Sequence, residues 1–188
     1  MHLGIRALAG GDVILTGAQP GRSLFRQLVA NAPPPFEPEP GFLDFFGVEV
    51  ATASFLRESV VAFRDYARST LPNLYPVVAN ANDAVAEELV FFLQHRGDAV
   101  WACDLDPAGV VRNTRLLGEL DDVQRETFNR VLKLGAASAP TLAAASGGES
   151  GVGPTAWNNR LSKLANRGLL IERRGGKIKT FSPVLEAN

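Results

Sequence analysis

"LDFFGVEVATASFL", Leu43 to Leu56, decides how the first part of the chain folds. Its first eight residues belong to "FLDFFGVEV", a nearly continuous apolar run, and such a run predicts one strand buried on both faces. It ends as the start of an amphipathic helix, "SFLRESVVAFRDYARS". There Phe55, Leu56, Val60, Phe63 and Ala67 form one broad stripe, with Arg57, Arg64, Asp65 and Arg68 elsewhere. Between strand and helix lies a polar knuckle, Thr52-Ala53-Ser54. A serine at a helix start accepts hydrogen bonds from first-turn N–H groups, a cap worth about 1 kcal/mol. The same place suits a phosphate, because the helix dipole and unpaired N–H groups stabilise negative charge there. Arg57 lies one turn in as a partner for such a phosphate, and Glu58 opposes it. Ser54 is therefore either a structural cap or, with Thr52 and Arg57, a switch or partner-docking site.

Outward from this stretch, apolar strand-like runs alternate with helical stripes. "HLGIRALAGGDVILTG" reads as two short strands with a turn at Gly10-Gly11. "PGRSLFRQLVAN" is a helix entered at Pro20, with Leu24, Phe25, Leu28 and Val29 on one face. "APPPFEPEPGF" has five prolines in eleven residues and reads as an extended surface loop, excluded from helix interiors and central strands. "LYPVVAN" and "AVWACDLD" read as further buried strands, and "GVVRNTRLL" as another. "NDAVAEELVFFLQHRGD" reads as a helix capped by Asn82 or Asp83, with Gly97 past its end. The alternation predicts an α/β domain over residues 1–120, a sheet of four or five strands with helices mainly on one face.

Composition changes beyond that point. Residues 1–120 carry 9 Lys/Arg and 14 Asp/Glu, a net of −5; residues 121–188 carry 10 and 6, a net of +4. An acidic module joined to a basic one suggests that the basic one meets a polyanion. "DDVQRETFNRVLKLG" is a helix with Val123, Phe128, Val131, Leu132 and Leu134 as its stripe, and "APTLAAAS" is a second helix. "SGGESGVG" is a flexible connector. "PTAWNNRLSKLANRG" is a third helix with Pro154 in its first turn. "LLIERRGGKIKTFSPV" is a hairpin turning at Gly175-Gly176.

In the third helix, Trp157, Leu161 and Leu164 share an inward face. Thr155, Asn158, Asn159, Ser162 and Lys163 lie opposite, a polar surface able to hydrogen-bond base edges. Arg160 and Arg167 flank it, and the hairpin adds Arg173, Arg174, Lys177 and Lys179. Seven basic residues against Glu172, a net of +6 over the twenty-eight residues from Gly153 to Thr180, make an electrostatic footprint for a phosphate backbone.

"PTAWNNRLSKLANRGLLIERRGGKIKTFSPV" resembles the winged helix-turn-helix of MarR-like bacterial regulators. The resemblance implies that the third helix enters the major groove and that the hairpin, as a wing, contacts the adjacent backbone or minor groove. The glycine-rich connector is longer than the tight turn of that family. Over most of residues 1 to about 116, the chain resembles STAS-like domains, relatives of the anti-sigma-factor antagonists. The motif that carries this is Asp44-Phe45-x-Gly47-Val48 followed by Thr52-x-Ser54-Phe55-Leu56. In the antagonists the matching turn reads Asp-Ser-Ser-Gly-Leu and its second serine is phosphorylated. Ser54 matches that serine and Leu56 the leucine, while Thr52 replaces the aspartate, Ala53 the first serine and Phe55 the glycine.

Other chemistry finds little support. His2 and His95 are far apart in sequence, and Cys103, the single cysteine, permits neither an internal disulfide nor a cysteine metal framework. No phosphate loop ends in GK[ST]. No run approaches the roughly 18 apolar residues of a spanning helix, and no signal-peptide pattern opens the chain. The expectation is a cytoplasmic, dimeric, bacterial DNA-binding regulator with no enzymatic activity and no cofactor. Its partners are double-stranded DNA, a second copy, and a kinase or other protein at the first domain. The rival is an adaptor of the anti-sigma-antagonist type.

Overall fold

Apolar runs alternating with amphipathic stretches become strands alternating with helices from β1 (His2–Gly4) onward. The computed structural model describes residues 1–145, 152–176 and 178–186. Two units divide the chain, Met1–Glu119 and Leu120–Ala187.

The first unit runs β1, α1 (Ile5–Leu8), β2 (Ile14–Leu15), α2 (Ala18–Ala30), β3 (Glu39–Asp44) and β4 (Val50–Ala51). A continuous helical stretch follows: α3 (Ala53–Leu56), a π-helical turn (Arg57–Val61) and α4 (Ala62–Thr70). Then come β5 (Leu74–Ala79), α5 (Asp83–His95), β6 (Ala99–Leu105) and β7 (Val111–Gly118). The architecture is mixed α/β. Its main sheet has five strands in the order β1-β3-β5-β6-β7, the first four parallel and β7 antiparallel to β6. The order never reverses, so right-handed crossovers put the connecting helices on one face. There Leu43, Val78, Val100 and Leu117 join Leu24, Leu28, Phe55, Phe63 and Leu89 in one core. Tyr75, Val77, Trp101 and Cys103, out of phase with that set, are buried as well. Burial of both residue sets explains why β5 and β6 read as unbroken apolar runs.

Several expectations need correction. The strands on either side of Gly10-Gly11 do not pair with each other. β1 pairs with β3 and β2 with β4, both in parallel, and α1 intervenes. "FLDFFGVEV" is not one strand: β3 stops at Asp44, Gly47 turns at φ 77°, and β4 follows. Pro40 lies within β3, between two neighbouring strands, against the expectation for the proline-rich segment. The backbone explains its tolerance. Glu39 N–H donates toward the β5 side, to Asn73 O at 2.9 Å, and Phe42 N–H toward the β1 side, to Met1 O at 2.9 Å. Pro40 shares Phe42's side, past the end of β1's pairing, so its missing N–H removes no ladder bond.

The second unit is α6 (Asp122–Leu134), β8 (Ala137–Ser138), α7 (Ala139–Ala145), α8 (Pro154–Asn166), β9 (Leu170–Gly175) and β10 (Ile178–Pro183). Its three-stranded sheet is antiparallel, in the order β8-β10-β9, with Ala137 opposite Phe181. The strand β8 was not expected. Asp121 caps α6, its Oδ1 accepting from Gln124 N–H at 2.8 Å, and Gly135 ends it at φ 70°. The stripe of α6 differs from expectation: Val123 and Leu134 are exposed, and Gln124 and Thr127 are buried beside Phe128 and Val131. Thr127 satisfies its hydroxyl by donating to Val123 O at 2.7 Å. Among the described residues, no helix is long and apolar enough to cross a membrane.

Candidate nucleic-acid interface

Helix α8 owes its orientation to three apolar side chains. Trp157, Leu161 and Leu164 are all at most 1 % exposed, and Ala165 joins them. With that face fixed inward, helical geometry turns Thr155, Asn159 and Lys163 to the outside, and all three are exposed. Asn166 is exposed on the same line, at i+4 and i+11 from Ser162 and Thr155, and escaped the sequence reading. The i, i+4, i+7, i+11 spacing of Thr155, Asn159, Ser162 and Asn166 was the available signal.

Not every predicted residue is presented alike. Asn158 is half-buried on the flank. The hydroxyl oxygen of Ser162 is buried, without a hydrogen-bond partner among the described residues, rather than offered to solvent. The Arg160 guanidinium lies over the Trp157 ring, 4.9 Å from its centroid, a cation–π contact that holds the charged group itself, and the residue is half-buried. Arg167 turns to α6, donating from Nη1 to Gln124 Oε1 at 2.7 Å. That bond gives the buried Gln124 a partner and ties α8 to α6.

On the hairpin, Arg173 is exposed and donates to Ser182 Oγ at 3.1 Å. Arg174 and Lys179 stand directly opposite each other across the strands. Two like charges so placed repel. Glu172 relieves this by accepting from Lys179 Nζ at 2.9 Å and Arg174 Nε at 3.2 Å. Partial burial alone would raise the Glu172 pKa, but the bonds to Lys179 and Arg174 hold it below the usual carboxylate range. Lys177 and most of the connector, residues 146–151, lie outside the described residues.

The knuckle of the first unit is built differently from a serine cap. Thr52 occupies the cap position, without a capping hydrogen bond from its side chain. Ser54 is the second helical residue, and its Oγ lies 3.2 Å from Thr52 Oγ1. The helix-start N–H of Ala53 donates instead to Glu88 Oε2 of α5, at 2.8 Å. The cap reading of Ser54 is thus replaced: a carboxylate thirty-five positions away takes that place. Arg57 is exposed and pairs with Glu58, Nε to Oε1 at 3.0 Å, while Glu58 also meets Arg22 at 3.2 Å. Among the described residues, no group of His, Cys, Asp and Glu has the arrangement of a metal site. No family model matches the chain, and comparison with curated proteins and with solved structures finds no match either.

Proposed function

We propose that this protein is a DNA-binding regulator. In this reading Leu120–Ala187 is a winged helix-turn-helix, and Met1–Glu119 is a STAS-like domain that senses a signal, docks a partner or dimerises. One observation carries it: the second unit runs helix, short strand, helix, helix, hairpin, with the short strand added to the hairpin sheet. In a winged helix that order makes α8 the recognition helix and β9–β10 the wing. The side chains suit those roles. Asn159, Thr155 and Asn166 line the outer face of α8, and Lys163, Arg173 and Arg174 supply charge on helix and hairpin together. Paired operator half-sites match a two-fold assembly, so the regulator is read as a cytoplasmic homodimer. The reading assigns it no enzymatic activity and no cofactor.

The rival adaptor reading, with a kinase acting at Ser54, meets an electrostatic obstacle. A phosphate there would approach Glu88, whose carboxylate already holds the Ala53 N–H. Arg57, the natural partner, is engaged by Glu58. Fluorescence anisotropy of the full chain with labelled duplex DNA tests the regulator. Binding is expected at low salt and should fall steeply between about 50 and 200 mM. Absence of binding at low salt would overturn the regulator and leave the adaptor.

A further inference from the structure

The carboxyl ends of β3, β5 and β6 border a half-open cavity of about 390 Å³ whose lining includes His2, Asp44, Phe46, Asn80, Leu105 and Pro107. The cavity joins residues far apart in sequence. Asp44 Oδ2 lies 2.7 Å from His2 Nε2, and Asp44 Oδ1 accepts from Asn80 Nδ2 at 2.8 Å and Phe46 N–H at 2.9 Å. Asn80 Oδ1 accepts from Leu105 N–H at 2.8 Å. Asn80 holds φ 54°, a left-handed conformation that asparagine tolerates better than most residues. The Phe46 ring, in contrast, is 77 % exposed at the rim.

Donor supply decides which ligand fits. The backbone N–H groups of Phe46 and Leu105 are committed to Asp44 and Asn80, and those of Ala108 and Val110 to Asp106 Oδ1. Asp106 Oδ2 is neutralised by Arg112 at 3.0 Å. Among the described residues, no lysine or arginine lines the cavity. An anion would find few donors. An acceptor is available: among the described residues Asp44 Oδ2 meets only the exposed His2, and a carboxylate oxygen has room for a second donor. We propose that this cavity binds a small organic cation, an ammonium or amidinium on an apolar body. Its N–H groups bond Asp44 Oδ2, and its body packs on Phe46, Leu105 and Pro107. This site is independent of the DNA-binding reading.

Phenethylamine is the probe, titrated into the full-length protein and followed by amide chemical shifts. Saturable changes at Phe46, Asn80 and Leu105 are expected, with none there from phenylpropionate. Asp44→Asn, which keeps the acceptor for Phe46 and Asn80, should weaken binding about tenfold or more, the worth of a hydrogen bond to a charged group. Phe46→Ala, at an exposed position and so neutral for folding, should weaken it as well. Absence of saturable change at those amides, an equal response to phenylpropionate, or undiminished affinity in folded Asp44→Asn would overturn the proposal.

Discussion

Two buried groups in the first unit make opposite demands on their surroundings. Arg64 is 4 % exposed and Asp98 6 %, and they meet at 2.6 Å. Burial alone would lower the Arg64 pKa, but Asp98 and Asp65 raise it above its ordinary value. Asp98 also accepts from Ala99 N–H at 2.8 Å, so the pair ties α4 to the start of β6. Removing one partner of a buried pair strands the other charge, which costs about 3–5 kcal/mol. Asp98→Asn should destabilise the fold by about 3 kcal/mol in urea unfolding, the low end because Asp65 remains bonded to Arg64. Cys103 is the reverse case, a group that burial keeps neutral. Burial first, then the charge of Asp104, pushes its thiol up to about 11. The folded value lies above the unfolded one. Its contribution to stability is therefore complete below about pH 8.5 and is lost as pH rises toward about 11. Unfolding free energy should decline less across that window in Cys103→Ala than in the parent. At pH 8, a thiol reagent should label Cys103 only after denaturation.

At the scale of elements, the legible parts were those set by local physics. Strands β5 and β6 announced themselves as apolar runs, α8 by the 4-and-3 spacing of Trp157, Leu161 and Leu164, and α5 by a cap expected at Asn82 or Asp83, of which Asn82 accepts from Val85 N–H at 3.0 Å. What escaped was set by distant partners. The two-residue β8 exists because β10 offers it an edge, and no local signal marks Ala137–Ser138. Glu88 at the start of α3 and His2 on Asp44 are tertiary meetings that spacing does not reveal. Gln124 inside α6 depends on Arg167, forty-three positions on. The π-helical turn is another such element. Helix α2 packs against it, and a Cβ on Gly21 would come within 2.6 Å of the Phe55 carbonyl oxygen. That oxygen already accepts from the buried Ser59 hydroxyl at 2.7 Å, so it has little freedom to retreat. Alanine at an ordinary helical site gains about 1 kcal/mol over glycine. Here crowding of about 1–3 kcal/mol opposes that gain, and the contact is with backbone. Gly21→Ala should therefore lower the midpoint of thermal unfolding rather than raise it.

For the whole molecule, charge is divided between units: −5 over residues 1–120 and +4 over residues 121–188. The formal count overstates what a phosphate backbone would meet. Of the seven basic residues between Gly153 and Thr180, Arg167 bonds Gln124, and Arg174 and Lys179 share Glu172. Each phosphate neutralised contributes about −0.9 to the slope of log affinity against log salt. If all seven acted, the slope would approach about −6. With Arg167, Arg174 and Lys179 held by protein partners, Arg160, Lys163 and Arg173 remain among the described residues, and the slope expected from them is about −2.7. Glu172→Gln removes the carboxylate charge that restrains Arg174 and Lys179, leaving an amide that accepts more weakly. It should tighten binding to any duplex sequence and steepen the slope by about one to two. Arg173→Ala with Arg174→Ala should do the opposite, weakening all sequences alike, whereas Asn159→Ala should relax sequence preference and leave the slope unchanged. Anisotropy titrations of the four proteins over the same salt series separate these outcomes. If the protein binds DNA as proposed, a slope insensitive to Glu172→Gln would place the β9–β10 hairpin off the DNA and confine contact to α8.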